Sequence, residues 1–160
     1  MSRNLPILYI VVPCYNEAKV LPLTGPIFDK QLSDMILKGL IHEDSKILYV
    51  NDGSSDETWD IISEFSHEND HFTGISLSRN RGHQNALLAG LMESKDRCDI
   101  TISIDCDGQD DISVMNEMVI QYTAGNEIVY GVRNNRKSDT FFKRFTAQAY
   151  YKVLSHMGGK

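Results

Sequence analysis

The 160 residues, 41% of them hydrophobic, suffice for one buried core and fall short of two ordinary domains. The formal net charge of -6 argues against a general nucleic-acid binder, which needs clustered Lys and Arg over a broad face. Cys14, Cys98 and Cys106 are odd in number and lack the paired spacing of a zinc site or a disulfide framework, so a reducing cytosol is expected. The N-terminus has no basic segment leading into an apolar stretch, so no signal peptide is expected. No apolar run approaches the ~20 residues that cross a bilayer.

In chain order, short runs rich in Ile, Val and Tyr predict strands at Ile7–Val12, Ile47–Val50, Phe72–Leu77, Ile100–Ile104 and Ile128–Val132. Apolar spacings of three and four predict helices around Ile27, Leu32 and Ile36, and at Trp59, Ile62 and Phe65 after an Asp56 cap. Further helices are expected around Leu87, Leu88 and Leu91, at Met115, Met118, Val119 and Tyr122 after Asp111, and from Thr140 to Leu154. The alternation predicts an α/β fold, a parallel sheet covered on both faces. Ligands of such sheets collect beyond the carboxyl ends of the strands, and those ends are unusually polar here.

Asp105 and Asp107 are one residue apart after an extended run, so both side chains leave the chain on one side, their Cα atoms ~7 Å apart. One hard cation such as Mg²⁺ or Mn²⁺ can reach both, with Gln109 adding a carbonyl oxygen. Asp110 and Asp111 read as first-turn acids of the following helix. An EF-hand loop is excluded, because Asp110 and Asn116 stand where it needs Gly and Glu.

Around the same mouth, Asp52 ends the second strand and can accept hydrogen bonds from a base or ribose, whereas Ser55 and Asp56 read as helix capping. Glu17 reads either as a first-turn acid or as an acceptor for substrate hydroxyls. His83, in Arg79-Asn80-Arg81-Gly82-His83 just before a helix, reads either as an anion contact or as part of a capping loop with solvated arginines. Cys14 and Cys106 flank the mouth without a base partner, which suits buried packing. Arg133, Arg136, Lys137, Lys143 and Arg144 form a locally basic run suited to phosphate or anionic lipid, and Arg133, directly after a strand, is its strongest functional candidate.

Taken in order, Val12-Pro13-Cys14-Tyr15-Asn16-Glu17, Val50-Asn51-Asp52-Gly53-Ser54, Ser78-Arg79-Asn80-Arg81-Gly82-His83, Asp105-Cys106-Asp107-Gly108-Gln109 and Gly131-Val132-Arg133 resemble the successive motifs of family 2 glycosyltransferases. Within that family the chain is most similar to the branch that moves a hexose from a nucleotide sugar to polyprenyl or dolichol phosphate. The resemblance covers nearly the whole chain and implies a three-layer, Rossmann-like GT-A fold with a mostly parallel sheet.

By the same resemblance, residues 1–160 form a single nucleotide-sugar-binding domain of a longer protein, since family members continue well past this length. Pro13, Tyr15, Glu17 and Asp52 would hold base and ribose, with His83 also at the nucleotide sugar. Asp105 and Cys106 would line ribose and diphosphate. Asp105, Asp107 and Gln109 would group around Mg²⁺ or Mn²⁺, and catalysis would rest on Asp107 and on Arg133 at the phosphate. Asn51 departs from the pattern, standing where many relatives carry another Asp.

The implied reaction is inverting transfer of a hexose from a UDP- or GDP-sugar to a lipid phosphate, in cell-envelope or polysaccharide synthesis. The implied location is the cytoplasmic face of a membrane, with membrane association belonging to the full-length protein. A sugar-hydroxyl-directed family 2 enzyme and a non-catalytic nucleotide-binding module remain as alternatives, and a nucleotidyltransferase is disfavoured because Pro13-Cys14-Tyr15-Asn16-Glu17 stands where it would carry a Gly-rich phosphate loop. Dinucleotide and P-loop folds are excluded, because neither glycine fingerprint is present.

Overall fold

A strand buried on both faces is apolar at every position, and the first one here, β1 (Leu8–Cys14), is buried throughout. β1 lies inside a four-stranded sheet with β2 (Lys46–Asn51), β3 (Phe72–Ser76) and β4 (Ile100–Ser103), in the order β3-β2-β1-β4. Every pairing is parallel, with Ile10 opposite Ile47 and Ile102, and Val50 opposite Ile75. The computed structural model describes residues 5–132.

Helices α1 (Leu21–Leu37), α2 (Thr58–Glu68), α3 (His83–Ser94) and α4 (Val114–Thr123) alternate with the strands. On α1 the buried positions include Leu21, Thr24, Phe28, Leu32 and Met35, the three-and-four spacing that turns one stripe toward a sheet. This stripe meets Leu8, Ile10 and Val12 of β1, Ile47 and Tyr49 of β2, Ile62 of α2, and Met115 and Val119 of α4. The alternate positions Tyr9, Val11, Leu48 and Val50 face the other way and pack with Ala86, Leu87 and Leu91 of α3. Three layers result, with α1, α2 and α4 on one face of the sheet and α3 on the other.

The chain proceeds outward from β1 to β3, then returns over α3 to place β4 on the far side of β1. The carboxyl ends of β1 and β4 therefore flank a topological switch point, where the crevice of an open α/β sheet forms. Close approach of α3 depends on Gly90, since a Cβ there would lie 2.4 Å from Val11 Cγ1 and 2.8 Å from Val50 Cγ2.

The α/β class and the first four strands agree with the sequence reading to within two residues at each end. The expected fifth strand, Ile128–Val132, is not formed, for no strand is present over these residues. Ile128, Tyr130 and Val132 are highly exposed, and a β-rich run becomes a strand only where a neighbour takes its N–H and C=O groups. The expected helix from Thr140 to Leu154 lies outside the described residues.

The chain divides into two units, Met1–Val129 and Tyr130–Lys160, and the four strands of the described residues lie in the first. Among the described residues no helix is long and apolar enough to cross a membrane.

Candidate functional site

Beyond β4 the chain leaves the sheet in a turn whose burial alternates. Asp105 and Asp107 are exposed, while Cys106 between them is 3% exposed and packs in the core. The two carboxylates meet different neighbours, His83 for Asp105 and Glu17 for Asp107. Asp107 Oδ1 accepts the Gln109 backbone N–H at 3.0 Å, which closes the turn and orients the carboxylate. Gly108, at φ +69°, takes the left-handed conformation that the turn requires.

Facing this turn is the start of α3. His83 is its first residue, and His83 Nε2 lies 3.8 Å from Asp105 Oδ1, with both side chains more than half exposed. A cavity of about 240 Å³ opens between them, lined by Pro13, His83, Leu87, Ser103, Asp105 and Asp110. The N-terminus of α3 lies at the same mouth, and the partial positive charge of a helix N-terminus favours an anion held there.

The loop that carries His83 is tied down from below. Asp52, only 2% exposed, accepts the Arg81 N–H through Oδ1 at 2.7 Å and the Gly82 N–H through Oδ2 at 2.8 Å, and its own N–H reaches the Cys14 carbonyl at 2.8 Å. A buried carboxylate is tolerated when its oxygens are hydrogen-bonded in this way. Asn51 beside it donates to Ser76 Oγ at 2.8 Å and accepts the Ser54 N–H at 3.1 Å.

After β1, Tyr15 is about half exposed and Asn16 adopts φ +56°. Asn16 Oδ1 accepts the Ser55 N–H at 2.9 Å, and the Asn16 N–H donates to Ser54 Oγ at 2.9 Å. The Glu17 N–H donates to Thr58 Oγ1 at 2.8 Å, and the Ala18 N–H to Asp56 Oδ2 at 3.2 Å. The Glu17 carbonyl then starts α1 by accepting the Leu21 N–H. Partial burial, reinforced by the charges of Asp107 and Asp56, raises the Glu17 carboxyl above the usual carboxylate range.

Beneath the mouth, Cys14 and Cys106 are both buried, and Thr24 Oγ1 lies 4.0 Å from Cys106 Sγ. A hydrogen bond with Cys106, then burial, holds the Cys14 thiol far above the ordinary thiol range, so Cys14 is a packing group rather than a nucleophile.

Of the residues singled out in the sequence, Pro13, His83 and Asp105 share one cavity, and Asp107 is close enough to Glu17 to perturb it. Asp52 lies behind the loop it ties, the Cys106 side chain points into the core, and Gln109 is exposed beside Asp107. Arg133 and the basic run Arg136, Lys137, Lys143 and Arg144 lie outside the described residues. Asn16, Ser54 and Thr58 were missed. Their signal was a cluster of small polar residues after two successive strands, which alone reads as ordinary turn chemistry.

Among the described residues no group of three or more His, Cys, Asp or Glu side chains is gathered as a metal cage. Two exposed carboxylates in one short turn are the donor type that suits a Mg²⁺ or Mn²⁺ ion that also takes substrate phosphates and water, which is the usual way such ions are held.

Comparison with known proteins places this site in a family. The uncharacterized glycosyltransferase YkoT of Bacillus subtilis (strain 168) is 51% identical over 160 residues, all of this chain and 48% of that protein. The bactoprenol glucosyl transferase of Shigella phage SfX is 34% identical over 144 residues, 90% of this chain and 45% of that protein. The chain thus spans about half the length of the curated relatives it matches. Among solved structures, a mannosyltransferase of Pyrobaculum calidifontis in complex with GDP-Man and Mn²⁺ superposes with a TM-score of 0.49 at 22% identity, over 66% of this chain and 28% of that one. The pattern described as "Glycosyl transferase family 2" matches residues 9–158, and the chain belongs to that family.

Proposed function

We propose that this chain is the donor-binding domain, residues 1–160, of an inverting hexosyltransferase that moves a sugar from a UDP- or GDP-sugar to polyprenyl phosphate at the cytoplasmic face of a membrane. The observation that carries the reading is the exposed pair Asp105 and Asp107 in the turn after β4 at the switch point, with Asp105 facing His83 at the N-terminus of α3 and Asp107 near Glu17. The naming of relatives as bactoprenol glucosyl transferases supports the lipid acceptor.

Asp105, Asp107 and Gln109 are the residues that would hold Mg²⁺ or Mn²⁺, whose chemistry is to neutralise charge on the departing nucleoside diphosphate. The N-terminus of α3 and His83 favour the same diphosphate through N–H groups and a ring that can carry a proton. Pro13, Tyr15 and Glu17 form the wall on the β1 side, where base and ribose would lie. Asp52, expected at base and ribose, is buried with both oxygens bonded and supports the opposite wall through Arg81 and Gly82. Cys106 contributes its backbone beside the diphosphate, and Arg133 a phosphate contact.

A phosphate monoester acceptor carries a charge of about −1.5 to −2 at neutral pH, so its oxygen attacks the anomeric carbon without a strong general base. Attack opposite the departing diphosphate inverts the anomeric centre.

The test is calorimetric titration of the chain with UDP, GDP and UDP-glucose, first with Mn²⁺ and then with chelator. Binding of one nucleotide that disappears with chelator supports the reading and identifies the base. Absence of binding to all three in both conditions overturns the donor-site assignment for this chain.

A further inference from the structure

The segment carrying Tyr15 and Glu17 has little apolar anchorage of its own, since Tyr15 and Asn16 are exposed and Glu17 is half-buried. What holds it is the loop after β2, through bonds that pair the two segments nearly residue for residue. Asn16 bonds Ser54 and Ser55, Glu17 bonds Thr58, and Ala18 bonds Asp56. Asp56 Oδ1 in turn accepts the Thr58 hydroxyl at 2.5 Å and the Thr58 N–H at 3.1 Å, which fixes the acceptor that Glu17 uses. Asn16 is the pivot, because its side chain and its backbone bond the second loop in opposite directions and its φ of +56° is one that few residues other than Gly, Asn and Asp adopt.

We propose that Asn16 is a positioning residue for donor binding, holding Tyr15 and Glu17 in the nucleotide-binding wall by clasping the β1 loop to the β2 loop. The inference rests on the donor-site reading above and assigns the residue between two proposed contacts a role that acts through them. Asn16 need not touch the nucleotide. It orders the backbone on either side, so that the bound conformation is already present in the free protein and no ordering cost is added on binding.

The experiment compares the wild-type chain with Asn16→Gly and Asn16→Asp. Glycine keeps the left-handed backbone and removes Oδ1, whereas aspartate keeps both an acceptor oxygen and tolerance of that backbone. Nucleotide affinity with Mn²⁺ is measured by calorimetry, and hydrogen exchange is followed over Tyr15–Ala18 and Ser54–Thr58. Asn16→Gly is expected to weaken affinity by about tenfold, the worth of a lost hydrogen bond, and to speed exchange in both loops but not in β1 or β2. Asn16→Asp is expected to restore both readouts to near wild type.

Unchanged affinity in Asn16→Gly overturns the proposal. So does weakened affinity with unchanged exchange, which would make Asn16 a direct ligand contact, and so does failure of Asn16→Asp to rescue either readout. A wild-type chain that binds no nucleotide overturns the donor-site reading and this inference with it, whereas a binding wild type with an indifferent variant overturns the inference alone.

Discussion

Gly82 donates its backbone N–H to Asp52 Oδ2 at 2.8 Å, so the residue preceding α3 is held by a buried carboxylate thirty positions earlier in the chain. Arg81 donates to the other oxygen of the same group, and the loop that presents His83 is fixed from beneath. Asp52→Asn replaces one acceptor oxygen with an NH₂ that faces a backbone N–H. The expected loss is about 1–3 kcal/mol, the cost of a buried NH₂ group without an acceptor. Urea unfolding of the variant measures it, and faster amide exchange at Arg81 and Gly82 identifies the loop as its source.

The same loop crosses close over Gly53. A Cβ there would lie 2.3 Å from the Arg79 carbonyl carbon and 2.6 Å from the Asn80 nitrogen, and φ is +64°. Gly53→Ala therefore meets backbone that has no rotamer with which to yield. Gly39 has the same φ of +64° with nothing within 4 Å of a Cβ, so Gly39→Ala isolates the conformational penalty of about 1–2 kcal/mol. Thermal unfolding is expected to rank Gly53→Ala below Gly39→Ala. Only the former is expected to weaken nucleotide binding, because only it displaces the loop before His83.

β1 and β2 were legible because each is apolar enough to be buried in a parallel sheet, whereas β3 and β4, at the edges, are only partly buried and were legible from their β-branched and aromatic residues. Ile128–Val132 has the same local pattern and makes no strand, since pairing depends on a neighbour that the local sequence does not name. Asp105 and Asp107 are exposed on either side of buried Cys106, but they lie in a turn and meet different neighbours, His83 and Glu17, which alternation along a strand does not specify. The clasp between Asn16–Ala18 and Ser54–Thr58 was not legible either, for it consists of bonds between small polar residues 38 to 41 positions apart. Short-range patterning explains each of those residues as a turn and contains nothing about which turn meets which.

Asp56 gives the clasp a pH dependence. Desolvation is the largest single influence on its carboxyl and raises its pKa, but hydrogen bonds from Thr58 and Ala18 together outweigh it and leave the group below the ordinary value of 3.8. A carboxyl depressed in the folded state contributes stability that is present above the unfolded value and is lost as pH falls through the folded one. The wild type is therefore expected to lose part of its loop protection only below pH 3.8. Asp56→Asn is expected to have lost the Ala18 bond already at neutral pH, with a correspondingly flatter acid limb. Hydrogen exchange of Ala18 across the acid range distinguishes the two, and equal limbs would show that Asp56 does not hold the clasp.

Asp107 lies on the surface, and its one hydrogen bond in the structure is to the Gln109 N–H two residues on. Removing such a group costs little stability, within about 0.5 kcal/mol for an exposed position away from the core. In the donor-site reading it is nevertheless half of the carboxylate pair that would hold the divalent ion. Asp107→Ala is therefore expected to unfold at the wild-type urea concentration while losing the Mn²⁺-dependent part of nucleotide affinity, at least about tenfold. Its residual affinity is expected to be the same with and without chelator. Glu17 supplies an internal check, because the Asp107 charge is the second cause of its raised pKa, after burial. In Asp107→Ala the Glu17 carboxyl is expected to titrate at lower pH than in the wild type, as followed by carboxyl carbon NMR shifts. Nucleotide affinity that stays metal-dependent in a variant with the shifted Glu17 titration would remove Asp107 from the ion's ligands while leaving its place beside Glu17 intact.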